Sequence, residues 1–207
     1  MNVCIFAKDK PQNDMREIRR IPDWEIRHLK AILLYILNNM PSDLRDVYYI
    51  VKTSFYAQKK HIVKWGIPMF RDDIVALKFG PVPSLVYDIL QVSRGQREAY
   101  KYCDDRALDI ISMSIDFKDE YYSANQLPDM NCLSPSNVEC LDDAIAEVSR
   151  MNFGEIMSKT HGAEWTRAFR NASNPKMDYV NIAKEEGASK EILEYLSQSL
   201  DLDTYLG

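Results

Sequence analysis

The chain is poor in glycine. It has 7 in 207 residues, about half the usual share of roughly 7%. This counts against a dinucleotide-binding fold, which spends glycines in tight βα turns, and against an all-β sandwich with its many reverse turns. Cysteine pairs at metal spacing are also missing. Cys4, Cys103, Cys132 and Cys140 contain no CxxC, which argues against a zinc ribbon and for reduced cysteines used in packing. Long apolar runs are absent. The longest candidate, Ala31 to Leu37, falls far short of the ~20 residues of a membrane span. No basic stretch followed by an apolar segment opens the chain, so a cytoplasmic protein with no membrane partner is expected. Basic charge is not in excess either. With 26 Lys+Arg against 31 Asp+Glu the net charge is −5, which weighs against sequence-independent nucleic-acid binding because that depends on neutralising phosphates.

Ordinary hydrophobicity, 46% of residues, combined with scarce glycine favours helices. Residues 1–22 read as an irregular N-terminal arm carrying Arg16, Arg19 and Arg20, with a short strand at Val3 to Ala7. The rest, 23–207, reads as a single domain whose last helices form a C-terminal extension. Asp23 is expected to cap a helix with Ile26, Leu29, Leu33 and Ile36/Leu37 inward, stopped by Pro41. Ser42 or Asp43 then caps a long helix from about Leu44 to Trp65. Its stripe is Leu44, Val47, Tyr48, Val51, Phe55, Ile62 and Trp65, with Gln58 standing where an apolar residue belongs. Gly66 serves as its C-terminal stop.

A short strand or loop is expected after Gly66, then a helix over Pro83–Val92. Ile111, Met113, Ile115 and Phe117 alternate with polar residues and predict a strand. Tyr121 to Leu127 would return as its partner around a turn at Lys118 to Glu120. Ser134-Pro135 marks a helix start with Val138, Leu141, Ile145 and Val148 inward. Asn152 and Glu155 have capping-box spacing. Trp165 and Phe169 share a short helix, Met177–Glu186 forms another, and Ser189 caps a last one with Ile192, Leu193, Tyr195, Leu196 and Leu200 inward. The fold class expected is mainly α (α+β): a compact bundle of about seven to eight helices with one small β-hairpin or short sheet.

No motif for catalysis is present. There is no Gly-x-Ser-x-Gly elbow, no HExxH and no Walker A run, so no enzyme activity, no catalytic residue and no cofactor are expected. The histidines are His28, His61 and His161. Convergence of His61 and His161 with Asp72 or Asp73 would be the one route to a metal site. Structural, hydrogen-bonded histidines are the expectation. Phe79-Gly80-Pro81-Val82-Pro83 carries the most local information, since a glycine and two prolines stiffen a bend just ahead of a helix.

Two stretches together resemble a known family. They are Lys52-Thr-Ser-Phe-Tyr-Ala-Gln58-Lys-Lys-His61-Ile-Val-Lys-Trp-Gly66, and Pro68-Met-Phe followed by Ala76-Leu-Lys-Phe-Gly80-Pro81-Val82-Pro-Ser-Leu-Val-Tyr87. Later come Leu133-Ser134 before a helix, and Thr160-His161 with Trp165 four residues after the histidine. In this order, over residues 44 to about 169, they resemble the Panacea domain of SocA-like antitoxins and phage-associated proteins. Thr53 and Ser54 stand where that pattern has apolar residues, and Phe55-Tyr56 inverts its aromatic order.

The resemblance implies a mostly helical antitoxin that neutralises a cognate toxin, encoded by the adjacent gene, through direct contact. The alternatives it leaves are an adaptor that delivers the toxin to an ATP-dependent protease, or a DNA-binding regulator. The motif residues Lys52, Gln58, His61, Gly66, Gly80, Pro81, Val82, Tyr87, Thr160, His161 and Trp165 are expected to hold the fold more than to touch a toxin. Thr160, His161 or the Gly80 corner would satisfy Gln58 and His61. Exposed Lys59, Lys60 and Lys64 are candidates for the toxin-binding surface.

Overall fold

The computed structural model describes residues 20–96, 104–171 and 175–206. The proposed strand at Val3 to Ala7, Arg16, Arg19, Cys4 and Cys103 lie outside them. Among the described residues there are nine α-helices and two small antiparallel sheets, so the fold is mainly α with a minor β part.

The molecule is organised around its second helix. Helix α1 spans Asp23–Asn39 and α2 spans Val47–Trp65. In α2 the run from Ile50 to Gln58 is buried without interruption. A helix buried on every side normally has apolar residues all round, yet this run contains Lys52, Thr53, Ser54 and Gln58. Each of those polar groups must therefore find a partner inside the protein. α5 (Pro135–Val148) packs along α2 over the greatest length, and α1, α3 (Ser84–Ser93), α8 (Tyr179–Glu185) and α9 (Lys190–Leu206) also pack against it.

Several caps differ from expectation. Pro22 precedes α1, making Asp23 its first helical residue. Ser42–Leu44 is a separate 3₁₀ turn, and Asp46 caps α2 by accepting from the Tyr49 N–H at 2.9 Å. Gly66 ends α2 as expected, at φ 67°. Ser134 and Asn152 form full capping boxes with Asn137 and Glu155, opening α5 and α6 (Phe153–Thr160).

After Gly66 the chain forms a complete hairpin rather than one strand. β1 (Ile74–Leu77) pairs with β2 (Gly80–Pro83) in the register Ile74↔Pro83 to Leu77↔Gly80. The other edge of β1 is covered by residues 175–177, through Ala76 N–H to the Pro175 carbonyl and Met177 N–H to the Ile74 carbonyl, both 2.8 Å.

The strand expected from Ile111 is instead mostly helix. α4 runs Asp105–Ser112, with Asp104 accepting from the Arg106 and Ala107 N–H groups. Ala107, Leu108 and Ile111 face inward at helical spacing, while Met113 is 78% exposed. The alternation straddled a helix end and a strand start, so its period came from two elements. β3 is only Ile115–Lys118, paired with β4, Tyr121–Ala124. Their turn places Asp119 and Glu120 at φ 51° and 70°, a left-handed pair achieved without Asn-Gly.

Candidate functional site

The motif residues converge as three hydrogen-bonded struts radiating from α2. The first begins at Lys52, which is wholly buried. Its Nζ donates to the Pro81 carbonyl at 2.7 Å and lies 5.3 Å from the Tyr48 ring centroid. Gly80 allows this approach. Its φ is 99°, and a Cβ there would sit 2.8 Å from Thr160 Oγ1, 3.0 Å from Lys52 Nζ and 3.6 Å from His161 Nε2. Lys52, Thr160 and His161 thus meet over one residue without a side chain. Burial pushes the Lys52 pKa well below its ordinary value. His161 is lowered by burial and by Lys52. The His161 ring stacks on Trp165 at 3.7 Å between centroids, and Trp165 Nε1 donates to the Leu77 carbonyl at 3.1 Å. This ties α7 (Ala163–Arg170) to the first hairpin.

The second strut starts at Gln58, whose amide is fully used. Oε1 accepts from the Met69 and Phe70 N–H groups at 2.7 and 3.2 Å. Nε2 donates to the Phe70 carbonyl at 2.7 Å and to the Tyr179 hydroxyl at 2.9 Å. Tyr179 in turn donates to the Asp72 carbonyl at 2.6 Å. The Asp72 carboxylate accepts from the Leu85 and Val86 N–H groups, at 2.8 and 3.1 Å, and from the Ser84 hydroxyl at 3.2 Å. It caps α3, whose own preceding residue, Pro83, supplies no side-chain cap. Burial raises the Asp72 pKa to about 7, against the lowering effect of those N–H donors.

The third strut is His61. Nδ1 bonds the Ile67 carbonyl at 2.8 Å, so this nitrogen carries the proton. Nε2 faces Asn137 Nδ2 at 3.3 Å and Ser136 Oγ at 3.2 Å, and accepts from them. Burial lowers the His61 pKa, in keeping with a neutral ring. Asn137 is held in place by Ser134 through the α5 capping box. The Leu133-Ser134 step therefore acts on His61 through the cap.

Residues 50–166 match the model of the family described as antitoxin SocA-like, Panacea domain. The chain belongs to this family. No curated protein and no solved structure matches the chain. The matched span holds every strut residue from Lys52 to Trp165, while Tyr179, which completes the second strut of this Panacea domain, lies beyond it.

The partners expected for Gln58 and His61 are corrected by this geometry, His61 being held by Ile67, Ser136 and Asn137. The Gly80 corner and Thr160–His161 surround Lys52, and Gln58 is satisfied by the Met69–Phe70 backbone and Tyr179. The metal arrangement weighed for His61, His161 and Asp72 or Asp73 is not assembled. Among the described residues no group of three or more metal-ligating side chains comes together. Val82 and Tyr87 are buried in β2 and α3.

The lysines of α2 are engaged within the chain. Lys59 pairs with Glu186 at 2.8 Å, Lys60 with Glu147 at 2.8 Å, and Lys64 with Glu139. Gly66 is constrained twice, by its φ and by Tyr195, whose Cδ1 would lie 2.9 Å from a Cβ there. Tyr195 itself, expected inward, is 54% exposed. No helix among the described residues is long and apolar enough to cross a membrane.

Sequence reading missed Tyr179 and the capping role of Asp72. The available signal for Asp72 was a carboxylate before a helix whose first turn follows a proline, too far away in sequence to read as a cap.

Proposed function

We propose that this protein is the antitoxin of a bacterial or prophage toxin–antitoxin system, and that it neutralises its toxin by direct protein–protein contact. The observation that carries the reading is the family match over residues 50–166. The burial of the motif residues supports it. Lys52, Gln58, His61 and Thr160 are each at most 5% exposed, so the shared residues build a scaffold and leave recognition to the exposed surface. On this reading residues 23–207 form one domain following an arm of residues 1–22, and the toxin is encoded by the adjacent gene.

The test is co-expression of the full chain with the protein of the neighbouring gene. Rescue of growth and co-purification of a stable complex, with roughly 1,200–2,000 Å² buried in total, are expected. Neither rescue nor complex would overturn the reading. Toxin half-life measured in the same cells separates the modes. An unchanged half-life with full rescue fits sequestration, and a shortened one that depends on an ATP-dependent protease fits the adaptor role. A shift of the protein's own promoter DNA at moderate salt, without toxin binding, would favour a regulator instead.

A further inference from the structure

A cavity of about 520 Å³ opens between the start of α1, the Ile67–Arg71 segment, the turn at Asn131–Cys132 and α9. Its volume is that of a ligand or side-chain receptor. Ile67, Met69 and Phe70, whose backbone is held by His61 and Gln58, form part of its wall. Two arginines line it, Arg27 and Arg71, against one carboxylate, Glu25. In a chain of net charge −5 this is a local reversal of sign. Arg71 stands 5.9 Å from the centroid of the Trp24 ring, and Trp24 is 55% exposed.

An apolar strip continues from the cavity. Ile67 lines the cavity and is exposed. Beside it Tyr195 covers Gly66, and Ser199, one turn along α9 from Tyr195, returns to the cavity wall. An exposed tryptophan and arginine at a concavity, with an exposed tyrosine on the strip beside it, is the composition of an interface centre, where a few such side chains supply most of the binding energy. The wall is rigid. The His28 ring lies between the Cys132 carbonyl at 2.6 Å and the Met69 carbonyl at 2.8 Å, and a ring N–H donates to these acceptors, while the backbone of Met69 and Phe70 is held by Gln58. A preformed receptor loses little conformational entropy on binding.

We infer that this cavity and the adjoining strip are the docking face for the toxin, and that the toxin segment seated there carries an acidic side chain next to an apolar or aromatic one. The charge complementarity is to Arg27, which is exposed, and the apolar complementarity is to Trp24, Ile67 and Tyr195. The inference rests on the antitoxin reading and adds the surface and the partner chemistry to it.

The experiment uses the full chain and the neighbouring-gene toxin, with dissociation constants measured by calorimetry. Trp24→Ala, Arg27→Glu and Tyr195→Ala are each expected to weaken binding by about tenfold or more, with unchanged melting temperature. Lys118→Glu, on the β3–β4 hairpin, is expected to bind as the parent does. Added salt should weaken the parent complex and leave Arg27→Glu less affected. An Asp- or Glu-to-Lys change in the toxin that restores binding to Arg27→Glu would identify the acidic contact. Affinity equal to the parent's in all three face variants overturns the inference while the antitoxin reading stands. Absence of any toxin complex with the parent chain overturns both. Self-association that is lost in Trp24→Ala with toxin affinity unaltered assigns the face to a second copy and also overturns it.

Discussion

The Lys52 Nζ reaches the Pro81 carbonyl at 2.7 Å because Gly80, the first residue of β2, has no side chain. A Cβ on Gly80 would sit 3.0 Å from Nζ. A buried cation with one carbonyl and one ring face is costly to keep charged. Its role follows from the alternative: without it the Pro81 carbonyl would be buried unpaired.

Replacement of Lys52 by methionine removes the charge and keeps the volume. The expected stability loss at pH 7 is about 1–2 kcal/mol, the cost of leaving the Pro81 carbonyl unpaired being partly offset by no longer burying an ionisable group. The pH profile should change more. Burial lowers the Lys52 pKa in the folded state, so the unfolded chain holds more protons between that lowered value and the ordinary 10.5. Stability contributed through Lys52 therefore rises with pH across this window. Urea unfolding from pH 7 to 10 should show a rise in the parent that is reduced in Lys52→Met. Parallel profiles would refute the lowered pKa of Lys52.

Gly80→Ala meets both strain and a clash, with φ at 99° and Thr160 Oγ1 at 2.8 Å. It should destabilise by about 2–4 kcal/mol. Gly95 has φ 82° and nothing within 4 Å of an added Cβ. Gly95→Ala should therefore cost only the conformational part, about 1–2 kcal/mol. Denaturant midpoints of the two variants give the comparison, and equal losses would show that space around Gly80 is not limiting.

Gln58→Leu leaves the Met69 and Phe70 N–H groups and the Tyr179 hydroxyl without their amide partner. A loss of about 3–5 kcal/mol is expected, from roughly 1–3 kcal/mol for each buried group left unsatisfied. Hydrogen exchange should speed up at the amides of residues 69 and 70. A stable variant with protected amides would contradict the strut.

His61 and Asp72 impose opposite pH slopes. Burial lowers His61 from 6.5, so the unfolded chain takes up more protons just below that value and stability rises as pH climbs towards 6.5. Burial raises Asp72 from 3.8 to about 7, so the folded chain holds the proton longer and stability falls as pH rises from 3.8 to 7. Relative to the parent, Asp72→Asn should gain stability between pH 4 and 7, and His61→Gln should lose the dependence just below pH 6.5. Melting temperatures measured across pH 4 to 8 test both signs.

The pair Lys64–Glu139 is half exposed, at 50% and 46% for the two side chains. Lys64→Ala should leave the denaturant midpoint close to the parent's, as for an ordinary surface pair. A clearly lowered midpoint would mean that this pair does more than a surface contact.

How far each feature was legible depended on the range of the interaction behind it. Gly66, Ser134 and Asn152 were readable as helix boundaries because a cap is settled within a few residues. Alternation at Ile111–Phe117 misled, since a period of two across a helix end and a strand start says nothing of where the boundary lies. The α3 cap was hidden because it comes from Asp72, and Tyr195 was misplaced because a helical stripe does not reveal where neighbouring elements stop covering it.

By itself the sequence determined the helical class, most element boundaries and the family motifs, all of which follow from local backbone preference, side-chain periodicity and residue order. It also marked Gln58 and His61 as polar groups on or beside the apolar stripe of a helix, and Lys52 as a residue of the family motif. Only the tertiary structure decided which partner each received: Pro81 for Lys52, the Met69–Phe70 backbone with Tyr179 for Gln58, and Ile67 with Asn137 for His61. A buried polar group requires a hydrogen bond whatever its sequence neighbours, and which group supplies it is fixed when distant segments are packed against the same helix.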